Sequence, residues 1–298
     1  MHIPIYNRFI AGNSRGHLLK NLAKLSSHKF RYIIDYAGEN CKSKKVREEV
    51  HWMVKNIKKP TFIALKLSGL DLYDDIAVKK YFREFHEYHL QYGHRFLLDA
   101  EDNKITPQIN LISDWASKTF FNEQPIFYKT YQMYRKNEME RLLGDYFSYN
   151  TMRIPLGVKL VRGAYLATEK SECHLFSKKS HTDNSYNYAL KNLTYLATIN
   201  PRLHLLAATH NDESLNILQK GMRKHGLIEV VNDDIARGKF PQLATAQLYG
   251  MSDKKGKELI AEGIQVYKYM PYGEIEKCFP YFVRRLHENF DIMKYIVK

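Results

Sequence analysis

The sequence predicts an α/β protein folded as a single (β/α)8 barrel of the TIM type, on two observations. Short apolar runs with strand character alternate with longer segments of helical period, and the alternation repeats eight times. No linker, low-complexity stretch or short repeat divides the chain. Alternation of this kind implies a parallel sheet, and eight units imply closure into a barrel in preference to an open doubly wound sheet. A length of 298 residues suits one such barrel, which commonly takes about 250 residues. Residues 1–30 are expected to form a short N-terminal extension and residues 31–298 the barrel.

The first strand candidate, Arg31 to Tyr36 (RYIIDY), is a β-branched and aromatic run, and a helix-period segment over 43–56 follows it. Thr61 to Leu67 (TFIALKL) precedes a helical stretch at 73–90, Arg95 to Asp99 (RFLLD) one at 108–120, and Pro125 to Thr130 (PIFYKT) one at 134–147. Gly157 to Val161 (GVKLV) is followed by 183–199, Leu203 to Thr209 (LHLLAAT) by 212–225, and Gln242 to Leu248 (QLATAQL) by 252–262. Several of these helices open with Asp, Asn or Ser in capping positions, where a side-chain oxygen satisfies free backbone N–H groups. The last strand, Ile264 to Tyr269 (IQVYKY), is expected to stop at Pro271 and Gly273, which allow a turn into a final helix over 274–289.

Composition narrows the function classes. The hydrophobic content of 44% is that of a globular protein, and no apolar run approaches the ~20 residues of a membrane-spanning helix, so a soluble protein is expected. Cys41, Cys173 and Cys278 are odd in number and far apart, which fits neither a disulfide framework nor a CxxC metal site and suits a reducing compartment. Met1 to Ile10 shows no apolar signal core and no transit-peptide composition, so no targeting segment is visible. The net charge of +14 comes from scattered lysines with acidic or apolar neighbours, as on solvated helix faces. An anionic-surface preference is a weaker reading, and nucleic acid is not expected, because no basic block or RNP-like motif appears.

In such barrels chemistry sits at the carboxyl ends of the strands. Those ends carry Lys66, then Asp99-Ala100-Glu101, Gln132, the stretch Lys159 to Tyr165 (KLVRGAY), Thr209-His210-Asn211, Gln247 and Tyr269. Any one of them reads as a loop residue, and Asp99 or Asn211 equally as a helix cap. A ring of them at one end reads as a site. If 274–289 is helical, Tyr281, Arg284, Arg285 and Glu288 share one face. An Arg-Arg pair alone is ordinarily a wet helix surface, yet beside aromatic residues its planar forks suit bidentate capture of a carboxylate or phosphate. There is no HExxH, no Cys/His metal spacing, no GxSxG elbow, no Walker A loop and no GxGxxG after the first strand. No metal is expected. Gly163-Ala164 is small enough for close approach of a flat or phosphorylated cofactor.

KLVRGAY at 159–165, DAED at 99–102, YQMYR at 131–135, ATHN at 208–211, AQLYGM at 246–251 and the YKYMPYG…PYFVRRLHEN ending together resemble the proline dehydrogenase family, the flavin enzymes of proline breakdown. The resemblance runs from about Asp35 to Asn289, and six motifs in order make it specific where each alone is weak. It implies a distorted (β/α)8 barrel with FAD at the mouth, oxidation of L-proline to Δ1-pyrroline-5-carboxylate, and a membrane quinone as electron acceptor. Peripheral membrane association is compatible with the basic charge, and the resemblance implies the cytoplasm or the inner-membrane periphery in a bacterium, or the mitochondrion in a eukaryote.

Residue by residue, the resemblance implies that Arg284 and Arg285, assisted by Lys66, bind the substrate carboxylate, while Tyr269, Tyr281 and Leu160 line the ring pocket. Asp99 corresponds to a catalytic acidic position. Lys159 corresponds to a basic residue near the reactive nitrogen of the flavin, an arginine in many members, so charge is kept and the fork is lost. Gln132, Arg162, Gly163, Ala164, Thr209 and His210, with Lys159, correspond to FAD contacts. The chain begins some thirty residues before the first strand, where many members carry additional helices, and His287 is an uncommon choice between the arginines and Glu288. Two alternatives stay open: a flavin enzyme on a related cyclic amino acid such as hydroxyproline, for which a more polar pocket than Tyr269 and Tyr281 is expected, and a basic binding barrel that has lost its flavin.

Overall fold

The computed structural model describes residues 4–38, 41–165, 169, 174–228 and 240–288, without the side chains of Pro4, Ile5, Arg284 and residues 286–288. Strands β1 (Arg31–Tyr36), β2 (Phe62–Leu65), β3 (Arg95–Leu98), β4 (Phe127–Gln132), β5 (Leu156–Val161), β6 (Leu203–Ala208), β7 (Leu243–Leu248) and β8 (Val266–Tyr272) pair in sequence order. Every pair is parallel, and β8 returns to β1 with Ile33 opposite Tyr269, which closes the barrel. Before β1 come α1 (Pro4–Phe9) and α2 (Arg15–Ser27). The connecting helices are α3 (Ser43–Asn56), α4 (Asp75–Tyr92), α5 (Thr106–Thr119), α6 (Glu138–Thr151), α7 (Lys179–Ile199), α8 (Asp212–Lys224), α9 (Asp253–Ala261) and, after β8, α10 (Ile275–Glu288).

Capping fixes several helix starts. Ser14, Asp74 and Asn211 each accept a backbone N–H three residues on, from His17, Ala77 and Ser214. Alternation along each strand separates two cores. Ile33, Phe62, Ala64, Leu97, Tyr128, Leu206, Ala246 and Tyr267 fill the barrel interior. The opposite faces, such as Ile34, Ile63, Phe96, Val158 and Leu205, pack against the surrounding helices. Among the described residues, no helix is long and apolar enough to cross a membrane. Cys278 is buried and Cys41 half-buried, while Cys173 lies outside the described residues.

Two expectations need correction. α6 begins at Glu138 and not near 134, because Tyr134 N–H donates to Arg162 O at 2.7 Å and Arg135 N–H to Gln132 O at 3.1 Å, holding this stretch against the end of β5. β8 does not stop before Pro271 but runs through it to Tyr272. Neighbouring residues of a strand direct their backbone groups to opposite sides, and those of Tyr269 and Pro271 face the β7 side, where Tyr249 N–H reaches Tyr269 O. β7 has ended by Pro271, so the missing proline N–H breaks no ladder bond. The Pro271 carbonyl instead accepts Ala11 N–H at 2.7 Å, and Gly12 forms a parallel bridge to Tyr272.

Candidate active site

The inward face of each strand is apolar at mid-barrel and turns polar at the carboxyl end. Two residues beyond Ile33 the same face of β1 carries Asp35, and two beyond Leu97 it carries Asp99. Lys159 pairs in register with the inward Leu206, so it too faces the interior, and Lys66 follows Ala64 in the same way. Tyr269 completes this layer from β8.

These side chains form two adjoining groups that act on each other electrostatically. Asp99, 8% exposed, accepts hydrogen bonds from Lys159 Nζ through Oδ1 and from the Tyr269 hydroxyl through Oδ2, the latter at 2.6 Å. Burial alone would raise its pKa, but the Lys159 and Lys66 ammoniums and the two hydrogen bonds hold it below the usual carboxylate range. Lys66 Nζ lies 2.6 Å from Asp35 Oδ1, and Asp35 is 1% exposed. Burial opposes the Lys66 charge, yet the Asp35 and Asp99 carboxylates overcome it and raise its pKa, so it stays an ammonium at neutral pH. Burial and the same two carboxylates push the Tyr269 phenol well above its ordinary value, which keeps it a donor. The Tyr281 ring lies 5.5 Å from Lys66 Nζ and 5.3 Å from the Arg285 guanidinium carbon, linking α10 to the strand ends.

A second group lies at the ends of β4, β5 and β6. Gln132 Oε1 accepts Ala164 N–H at 3.1 Å and pins the turn after β5. A Cβ on Gly163 would sit 2.5 Å from the Tyr134 ring, so only glycine lets the backbone pass there. Arg162 Nε donates to Asp183 Oδ1 at 2.6 Å, Nη1 to Thr209 Oγ1 at 3.0 Å and Nη2 to Ser214 Oγ at 2.9 Å. Its fork thus braces the turn against α7, β6 and α8. His210, half-buried, follows Thr209. The narrow backbone at Gly163-Ala164, the pinned amide of Gln132 and the adjacent Lys159 charge fit a flat anionic cofactor.

A cavity of about 340 Å³ opens beside Lys66, bounded among others by Tyr36, Ser68, Glu101 and Tyr165. Burial raises the Glu101 pKa, against hydrogen bonds from the Ser68 N–H at 2.9 Å and the Ser68 hydroxyl. Among the described residues, no group of three or more His, Cys, Asp or Glu side chains could hold a metal ion.

Lys66, Asp99, Lys159, Tyr269, Tyr281 and Arg285 therefore meet at one mouth, with Gln132, Arg162, Gly163, Ala164, Thr209 and His210 at its β4–β6 side. Arg284 lies on α10, but its side chain is outside the described residues. Leu160, expected on the ring-pocket wall, is fully buried in the layer between barrel and helices, because it alternates with the inward Lys159. Sequence reasoning passed over Asp35 as a site residue. Its one trace in the sequence was a carboxylate within an otherwise apolar and aromatic run, with nothing there to say which face it takes.

A sequence profile described as proline dehydrogenase matches residues 18–296. Mitochondrial proline dehydrogenase 2 of Arabidopsis thaliana is 34% identical over 206 residues, which is 66% of this chain and 41% of that protein. Mitochondrial proline dehydrogenase 1 of Dictyostelium discoideum is 33% identical over 67% of this chain and 35% of its own length. Hydroxyproline dehydrogenase of Rattus norvegicus is 33% identical over 67% of this chain and 44% of its own length. The chain thus spans less than half of these curated relatives. The solved structure of proline utilization A from Bdellovibrio bacteriovorus, inactivated by N-propargylglycine, aligns with a TM-score of 0.77 over 96% of this chain and 32% of that one. At 21% identity that likeness concerns the fold. With the barrel, its polar mouth and a profile match over nearly its whole length, this chain belongs to the proline dehydrogenase family.

Proposed function

We propose that the chain oxidises L-proline to Δ1-pyrroline-5-carboxylate with FAD as cofactor and passes the electrons to a quinone. The observation that carries this reading is the convergence of charged and aromatic side chains at the mouth of the barrel: Arg285 and Lys66 both lie against the Tyr281 ring, Lys159 donates to Asp99, and the Lys66 charge acts on Asp99. It pairs cations suited to a carboxylate with aromatic walls suited to a small ring. When bound, FAD would supply the hydride acceptor, so that L-proline would lose a hydride from C5 and the proton of its amine to give the C=N bond of the product.

Gln132, Gly163, Ala164, Thr209 and His210 are the residues we assign to holding the cofactor, with Arg162 acting as the brace behind them. Lys66 and Arg285, with Arg284 on the same helix, bind the substrate carboxylate, a charge-assisted contact in a largely desolvated place. Tyr269 and Tyr281 wall the ring. Tyr269 is locked in orientation by its bond to Asp99. Lys159, fixed by Asp99, keeps a positive charge beside the β5 turn, where it favours negative charge developing on the cofactor. These groups are set before substrate arrives, so positioning is the main contribution of the barrel. A net charge of +14 suits approach to an anionic bilayer that carries the acceptor.

The test is turnover of L-proline with a soluble quinone, compared with trans-4-hydroxy-L-proline. The expected result is a higher kcat/KM for proline, because the pocket walls are aromatic. A preference for hydroxyproline would shift the assignment to that substrate, and no quinone-linked turnover of either would end it.

A further inference from the structure

We propose that residues 4–12 are a positioning element of the substrate site, fixing over the mouth the helix that carries Tyr281 and Arg285. What that site binds rests on the proline-oxidising reading. How the helix is held does not.

The described buried residues of α10 are Cys278, Tyr281 and Phe282. None belongs to the barrel interior or to the layer in which the other connecting helices are buried. All three fall in a separate cluster with Tyr6, Phe9, Ile10, Ala37 and Met251. Tyr6 meets Phe282 edge-on with ring centroids 5.3 Å apart. Phe9 and Ile10 line, together with Tyr281 and Arg285, a void of only about 20 Å³, room for no more than a water molecule. The N-terminal segment thus packs directly around the two site residues of α10.

Its backbone is anchored on the same spot. Beyond the end of β7 the segment takes the place of a strand beside β8: Ala11 N–H donates to Pro271 O, Gly12 bridges Tyr272, and Gly273 N–H donates to Gly12 O at 3.1 Å. Asn21 Nδ2 holds Ala11 O at 2.8 Å. A Cβ on Gly250 would lie 2.1 Å from Arg8 O, so the β7–α9 loop closes against the segment with no room for a side chain. Lys268, fully buried, stiffens that loop by donating to Gln247 Oε1 at 2.9 Å and Met251 O at 2.6 Å. α10 needs such support, because Pro280 removes one of its internal hydrogen bonds and leaves fewer local interactions to set its angle.

The test compares Phe9→Ala with Phe9→Leu in the full chain, reading amide hydrogen exchange and steady-state kinetics. Phe9→Ala should speed exchange over residues 275–288 about tenfold or more while β4–β6 stay as protected as before. It should raise KM for L-proline about tenfold with a smaller change in kcat and unchanged FAD content, and Phe9→Leu should recover most of both. Unchanged exchange in 275–288, a uniform rise across the barrel, or faster exchange with an unaltered KM would each overturn the proposal. Lack of proline turnover by the unmodified protein would instead remove the substrate reading, and the exchange result would still report how the helix is held.

Discussion

Lys66 is the cation on which two carboxylates converge, and its ion pair with Asp35 is the nearer constraint. Asp35→Asn keeps the shape but removes the charge that opposes deprotonation of the ammonium. KM for L-proline should rise about tenfold, and its alkaline limb should move to lower pH, since Lys66 then loses its proton more easily. A pH profile of kcat/KM that superimposes on that of the unmodified protein would show that Asp35 only packs. Arg285→Met is expected to weaken proline binding by about 3 kcal/mol through loss of a charge-assisted bond in a desolvated pocket, with the fold intact, since the side chain is half-buried at the mouth. Arg285→Lys should rescue only part of this, lacking the fork. Steady-state kinetics unaffected in Arg285→Met would reduce the arginine to a surface charge. The placement of Lys66, Asp99 and Arg285 at the mouth was legible because strand ends and a helix face are sequence positions. Asp35 was not, because a polar residue inside a strand-like run does not announce which face it occupies until closure of the barrel defines an inside.

At the scale of elements, the turn after β5 is the narrowest part of the proposed cofactor site. Gly163→Ala puts a methyl 2.5 Å from the Tyr134 ring, and Tyr134 is itself held by its hydroxyl at 2.5 Å from buried Glu169. The turn must therefore move. The FAD retained through purification, read as the ratio of flavin to protein absorbance, should fall several-fold while the circular dichroism spectrum stays that of the unmodified protein. Full retention would mean that the glycine serves only the chain path. Strand and helix positions were readable from period and composition within a few residues, and the misses have local causes. Pro271 looks like a stop signal because proline cannot donate, but only the three-dimensional neighbourhood reveals that β7 has already ended on that side. Leu160 was placed on the pocket by resemblance, whereas strand alternation sends it to the helix layer.

The whole molecule should lose stability on mild acidification through its buried histidines. His94, 0% exposed, accepts Thr61 N–H at Nδ1 and lies 3.1 Å from Val54 O at Nε2, an arrangement that requires the neutral ring. Burial lowers its pKa to about 4, despite backbone bonds that work the other way, and likewise lowers His204 to about 3. The unfolded chain therefore binds more protons as pH drops below ~6.5, and each such group favours unfolding from there down to its folded pKa. Glu101, whose pKa is raised by burial, contributes with the opposite sign. From pH 7 to pH 5, His94 alone should remove ~2 kcal/mol, measurable by urea unfolding and diminished in His94→Gln. Equal stability at the two pH values would contradict the neutral assignment. Barrel closure itself was legible from eight alternations, because parallel strands with intervening helices have few ways to hide both faces. The docking of the N-terminal segment on α10 was not, since a contact between the two ends of a chain leaves no periodic trace in either.

The central claim is that this mouth binds a flavin and delivers proline to it. Its most direct measurement is an anaerobic titration of the purified, FAD-supplemented protein with L-proline, followed in the visible spectrum. The account predicts flavin bands that bleach with added proline and return on addition of a quinone, with the bleaching strongly weakened in Arg285→Met. Protein that takes up no FAD, or FAD-loaded protein whose spectrum is indifferent to proline, would contradict it.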